Sequence, residues 1–294
     1  MNRVKGILLT VFAATSLGFI PLFAKIAYAN GFNPYTFSLF RSLFATIELF
    51  ILLKIRKIAY TLEKEQYITL FKASLMGHSL AMLTLSSSYN YMSIGLATTI
   101  HFIYPVAVMV GSIFFFNGKI DKRKVFSLIL SLAGMYFLAG FNSLGSTSII
   151  GVLLSLISGF FYAYYILIVA YGNIKEINSF VLIFYISLFN SYILFAISVF
   201  MGKLEIGYTF EGIVSTVFVA LVANLIGMVS FKTGLKVISA TTAAILSTFE
   251  PITSLILGML VFKDILSWYH IAGSILIIVS ATIVAFRKKV LKIL

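Results

Sequence analysis

Among the ionisable side chains inside apolar runs of this chain, where charge has little solvent to meet, five stand out. Glu250 lies within the run 239–262, Arg41 and Glu48 within 35–53, His78 within 73–91 and His101 within 95–116. At the centre of a bilayer-crossing helix a full charge costs ~2.5–3.5 kcal/mol on insertion scales, so such residues face a cavity or a partner. Glu250 is followed by Pro251, and His101 is followed four residues on by Pro105. Proline has no N–H for the carbonyl four residues back, so the pattern predicts helix kinks that leave the carbonyls of Ser247 and His101 free. Ser247 and Glu250 are three residues apart, as are His101 and Tyr104, and each pair shares a helix face. Two kinked helices are therefore expected to present polar edges at similar depth, with Glu250 receiving an amine or a proton. The competing reading makes Glu250 a structural hydrogen-bonding group between helices.

Arg41 and Glu48 are seven residues apart, on roughly one face. Arg41 either clamps a carboxylate or pairs with a backbone carbonyl or Glu48, while Lys25 can reach the interface by extending along its stem. His78 and His101 either relay protons with Glu250, since histidine titrates near neutral pH, or are hydrogen-bonded packing groups. Tyr91, Tyr104, Tyr162 and Tyr165, with Tyr164, the 86–90 Ser-Ser-Ser-Tyr-Asn stretch and Asn224, either line a cavity or make helix–helix contacts. His270, next to Trp268 and Tyr269, reads as interfacial belt. No ATP-binding loop, metal-ligand spacing or nucleophile motif occurs, so no cofactor and no metal are expected.

The elements that hold these residues follow from composition. Of 294 residues, 61% are hydrophobic and 11% charged, with a mean hydropathy of +1.06. Soluble domains carry about 25% charged residues, and this chain has too little polar surface to cover a water-soluble globule. Runs of about 20 apolar residues span a bilayer; ten occur, near 6–28, 35–53, 73–91, 95–116, 125–141, 149–171, 178–201, 209–231, 239–262 and 266–286. The small-x-small site Ala27-Tyr28-Ala29 follows a run too long for a signal core of about 7–15 residues, so that run counts as the first helix. The 54–72 connection is expected to form a short surface helix. The net charge of +13 sits in the connections, where anionic lipid accounts for it without nucleic acid. Cysteine is absent, which excludes disulfides and thiolate chemistry.

Counted loop by loop, 18 Lys and Arg fall on one side and two, Lys203 and Lys263, on the other; Lys25 and Arg41 are within spans. Positive charge stays on the cytoplasmic face, so both termini are expected there, in an inner (cytoplasmic) membrane. The halves also match at an offset of 145–146 residues: Ser42-Leu43-Phe44 with Ser187-Leu188-Phe189, Pro105 with Pro251, and Gly134 with Ser280. Five helices per copy force the second copy to enter from the opposite side. The expected fold is an all-α integral membrane protein of ten transmembrane helices in two inverted five-helix repeats, 1–141 and 149–286, ending in a basic tail, 287–294.

With these features the chain resembles the drug/metabolite transporter superfamily, EamA type. Gly18, Lys25, Pro34, Arg41, Pro105, Glu250-Pro251 and Asp264 match its pattern; Gly118 departs from an acidic residue expected there, and Ser16-Leu17 stand where a Trp often precedes the glycine. The resemblance implies export of amino acids or related metabolites. A secondary carrier rocking about a midplane site is therefore expected, with a small-molecule substrate and membrane lipids as partners, as a monomer or homodimer. A multidrug, lipid-intermediate or nucleotide-sugar-like carrier is the alternative. A membrane-embedded enzyme would need clustered acid/base groups at headgroup level, and a channel would need charge rings or filter loops; neither is present in the sequence.

Overall fold

The computed structural model describes residues 2–92, 94–119, 121–139, 148–205, 207–263 and 267–286, and these contain helices and no strand. Asp264 and the basic tail 287–294 lie outside the described residues. The helices are α1 (Arg3–Ala29), α2 (Pro34–Ile55), α3 (Lys64–Ser88), α4 (Leu96–Phe116), α6 (Ile149–Tyr171), α7 (Ser179–Phe200), α8 (Phe210–Leu235), α9 (Ala240–Phe262) and α10 (Trp268–Ala285), with α5 at Lys122–Ala139. Nine have the length and apolar composition to cross a bilayer. The tenth, α5, is 18 residues long and opens on Lys122, Arg123 and Lys124, charges that belong at the interface beside its apolar body.

Short polar residues start the helices by accepting orphan N–H groups. Asn2, Asn33, Ser148, Asn178, Thr209 and Ser239 each cap the helix that follows. At α10 the cap is reciprocal: Ser267 takes the N3 backbone N–H, and its own N–H donates to His270 Nδ1 at 3.1 Å. His270 thus closes a helix end, a role its aromatic neighbours hid in the sequence. Arg3 donates to the carbonyls of Ala285 and Val284 at 2.7 and 2.9 Å. That ties the start of α1 to the end of α10 on one face of the molecule. The expected surface helix at 54–72 is replaced by something simpler. Residues Lys64–Lys72 are helical and form the first turns of α3, continuous with the rest of it.

Packing follows a pseudo-twofold axis. α2 packs on α7 and α5 on α10, while the α3–α6 contact is repeated by α8–α1 and the α4–α6 contact by α9–α1. The α5–α10 seam shows the symmetry atom by atom. Gly134 and Gly273 face each other so closely that a Cβ on either would come within 2.7 and 2.6 Å of the other's carbonyl oxygen. Shifting each by 146 residues gives Ser280 and Ser127, which also meet, Ser280 Oγ donating to Ser127 O at 2.6 Å. The turn residues after α4 and α9, Asn117 and Lys263, are related by the same offset, and both adopt the left-handed conformation. Large apolar side chains such as Phe114, Phe115 and Phe200 point outward, as lipid-facing residues should.

One lysine counted in the cytoplasmic loops is not in a loop. Lys232 lies in α8, is 1% exposed, and donates to the carbonyls of Val169, Ile174 and Lys175 at 3.2, 3.4 and 2.6 Å. A compact ammonium there takes the Val169 carbonyl in the last turn of α6 and two carbonyls of the turn that follows, and it complements the helix dipole. Hydrogen bonds from charged donors contribute about 1.5–3 kcal/mol. Lys232→Met is therefore expected to destabilise the protein by an amount of this order, read as a lower thermal midpoint in detergent; an unchanged midpoint would refute the capping role.

Candidate functional site

Three helix breaks and two widened turns shape the interior. α4 is interrupted at Phe102–Ile103 and α9 at Ser247–Thr248, each just ahead of its proline. The break closes differently from the expectation. Glu250 N–H donates to Ser247 O at 3.0 Å, so a tightened turn takes the carbonyl that Pro251 would have left free. The third break, at Gly18–Phe19 in α1, precedes Pro21. Here the carbonyl of Gly18 accepts from Ser254 Oγ of α9 at 2.9 Å. α3 and α8 carry π-helical segments, Ala73–Ser79 and Ala220–Met228. Such turns are rare and concentrate at functional sites. They hold His78 and Asn224, residues again 146 apart, and both side chains border the same cavity.

That cavity has a volume of about 480 Å³ and is lined by α1, α2, α3, α4, α6, α8 and α9. Its lining takes in Lys25 and Tyr28, which are exposed and mark its mouth together with Phe262, and reaches Leu17, Arg41 and Tyr104, which are buried and form its floor with His101 and Glu250. Lys25 Nζ sits over the Phe262 ring at 3.7 Å. All seven residues of the first α9 segment, Ala240–Leu246, are buried, as are Thr10, Ala13 and Ala14 of α1.

Of the residues singled out from the sequence, the structure brings Glu250, Arg41, His78, His101, Tyr104, Tyr162 and Asn224 to this one cavity. Ser247 is buried beneath it, where the Tyr104 hydroxyl faces it without a well-aligned hydrogen bond. Tyr165 is also buried, behind the wall, stacked on Tyr162 at 5.9 Å between ring centroids. Tyr91 lies elsewhere: it is 41% exposed beyond the end of α3, and its carbonyl accepts from Ser148 N–H. A tyrosine after the last helical turn has left the face that points inward.

Each histidine is fixed through one nitrogen. Ser79 Oγ donates to Asn190 Oδ1 at 2.9 Å, which turns the amide N–H toward His78 Nδ1 at 2.8 Å. Nε2 is then left to carry the ring proton of His78. Ser158 Oγ donates to Ser155 O and so receives a hydrogen from His101 Nδ1 at 2.8 Å, leaving Nε2 as the acceptor. Arg41 is 4% exposed. Among the described residues its guanidinium makes one hydrogen bond, Nη2 to Met82 Sδ at 3.3 Å, and Nε has none. Neither Glu48 nor a backbone carbonyl holds it. Sequence reasoning missed Ser254, the α1 break and both π-helical segments. Pro21 in an apolar run signalled the break; the widened turns have no signature in residue type.

Ten helices in two inverted five-helix copies around a largely apolar cavity that holds a few charged and polar groups define a multi-pass membrane protein of carrier architecture. The chain belongs to the EamA-like transporter family, whose sequence model matches residues 4–140 and 149–286, consistent with the drug/metabolite transporter superfamily. It is accordingly a membrane transporter of small molecules. A solved crystal structure 13% identical in sequence superposes with a TM-score of 0.84, covering 97% of this chain and 99% of that one; the likeness is one of fold. No curated protein matches the chain significantly in sequence.

Proposed function

We propose that the protein is a secondary transporter that moves an amino acid or related small metabolite out of the cell, across the cytoplasmic membrane, by alternating access. The observation that carries this reading is the cavity, which is lined by helices of both repeats and has exposed residues at its Lys25–Tyr28 end, whereas the α9 segment that leads from the α8–α9 connection is wholly buried. A site at a repeat interface, exposed to one side at a time, is what rocking of inverted repeats requires. Loop charge supports the direction in which it opens. The cavity mouth lies on the side of Lys203 and Lys263, opposite 17 other cations once the buried Lys232 is set aside from the 18, so the mouth faces outward and the termini the cytoplasm. Glu250, at the floor, is the group proposed to meet the substrate amine or a coupling proton, with His78 and His101 beside it.

The test is counterflow in proteoliposomes loaded with a panel of amino acids, amines, nucleosides and sugars. Accelerated uptake of one labelled class, set by what is loaded inside, is the expected outcome. A correctly inserted protein that exchanges none of the panel would overturn the metabolite reading and favour lipid-linked cargo.

A further inference from the structure

We propose that Arg41 and Glu250 are the two poles of a zwitterion site, the guanidinium taking the carboxylate and Glu250 the ammonium of a free α-amino acid or a compound of the same charge pattern. The inference rests on the transporter reading and deepens it by assigning each end of the cargo to a residue.

Arg41 is the starting point. A guanidinium carries five donors and no acceptor, and a buried cation without a partner is strongly unfavourable. In this cavity it has one sulfur contact, at 3.3 Å, and the Phe37 ring, 5.9 Å from Cζ. Its Nε is buried and unpartnered. The two structural partners that the sequence allowed are both unused, and Glu48 keeps a buried, unpartnered oxygen of its own. Arg41 lies two turns into a helix whose start is fixed by the Asn33–Thr36 capping box and Pro34, so the side chain is aimed at the cavity by a rigid element.

Glu250 is the opposite charge on the other wall. It lines the same cavity and is an electrostatic neighbour of Arg41, yet the two form no ion pair among the described residues. Its backbone is committed to the turn at Ser247, and the carboxylate is engaged in no hydrogen bond there. Two unlike charges facing one low-polarity cavity without touching are each incompletely satisfied. A ligand with a negative and a positive end satisfies both at once, whereas a simple anion leaves Glu250 opposed and a simple cation leaves Arg41 opposed. The remaining ionisable groups do not compete for the role. His78 is held by Asn190, His101 by Ser158, and Lys25 is over Phe262 at the mouth. Tyr28, Tyr162 and Phe102 provide aromatic surface for the rest of the molecule.

The experiment measures ligand-induced thermal stabilisation of the purified full-length protein in detergent, which needs no transport. The probes are the proteinogenic amino acids, then matched sets with one charge removed: L-leucine, 3-methylbutylamine and 4-methylpentanoate; L-phenylalanine, phenethylamine and 3-phenylpropanoate. At least one amino acid is expected to stabilise the wild type at a concentration tenfold or more below that needed for its amine or its acid. Arg41→Gln is expected to erase the preference over the amine and Glu250→Gln the preference over the acid. An amine or acid that binds as well as its parent, or no amino acid binding at all, overturns the site, and the wild type alone decides this if a variant does not fold. Counterflow reports separately on the carrier. Zwitterion binding without exchange would sink the transporter reading and keep the site; exchange with no zwitterion preference would do the reverse.

Discussion

Glu250→Gln is expected to lower counterflow by about 10–100-fold while leaving the protein inserted and folded. The substitution keeps shape and removes charge. A hydrogen bond to a charged group contributes about 1.5–3 kcal/mol, and each 1.4 kcal/mol is tenfold in binding. Folding should be little affected, because the Glu250 side chain makes no hydrogen bond among the described residues and its turn is formed by backbone atoms. Where Glu250 carries the coupling proton as well, the residual exchange of the variant is flat with pH across the range in which the wild type varies. Normal exchange by Glu250→Gln at every pH would remove Glu250 from the mechanism. His270→Ala is the matched control. It lies in the N-terminal cap of α10, where losing a cap costs about 1 kcal/mol, so its thermal midpoint should fall slightly while its exchange stays near wild type.

Gly18→Leu is expected to abolish exchange and to lower the thermal midpoint. Gly18 is where α1 breaks and crosses α9. A Cβ at this position would sit 2.5 Å from Thr253 Cβ and 2.7 Å from the carbonyl oxygen of Glu250. Real Cβ atoms do not approach other atoms so closely, so α1 and α9 must separate, and the Ser254–Gly18 hydrogen bond at 2.9 Å must lengthen with them. Overpacking of this kind costs about 1–3 kcal/mol or more. The displaced backbone is that of Glu250, so function should suffer beyond stability. Gly18→Ala forms a graded comparison, with a smaller drop in both readouts. Wild-type exchange by Gly18→Leu would mean that the α1–α9 crossing is not part of the transport path.

The two repeats were legible in the chain because membrane helices are local objects. Each run of about 20 apolar residues satisfies its own backbone hydrogen bonds, so length and composition identify it without knowledge of its neighbours. Prolines at 105 and 251 announced the breaks in α4 and α9 for the same reason: the missing N–H acts within one turn. Glu250 and Arg41 stood out because charge in an apolar run is conspicuous wherever it points. Tyr91 and Tyr165 were harder to place, since an aromatic ring is at home on a cavity wall, behind it, or at an interface.

Composition, charge pattern and repeat offset by themselves determined a multi-pass helical protein with an inverted internal repeat and intramembrane charges. The tertiary structure decided which polar residues meet, and on what terms. Lys232 looks like one more loop cation in sequence, yet it caps α6 from α8, because its carbonyl partners lie 57 to 63 residues away. Glu48 and Arg41 share a helix face in sequence but do not pair in space, and Arg41 looks instead toward Glu250, more than 200 positions further along the chain. Such pairings arise from the way inverted copies pack about their axis. Local sequence sets each helix, whereas the distance between two charges on different helices is fixed only when close contacts such as Gly18 on α9 and Gly134 on Gly273 set the spacing between backbones.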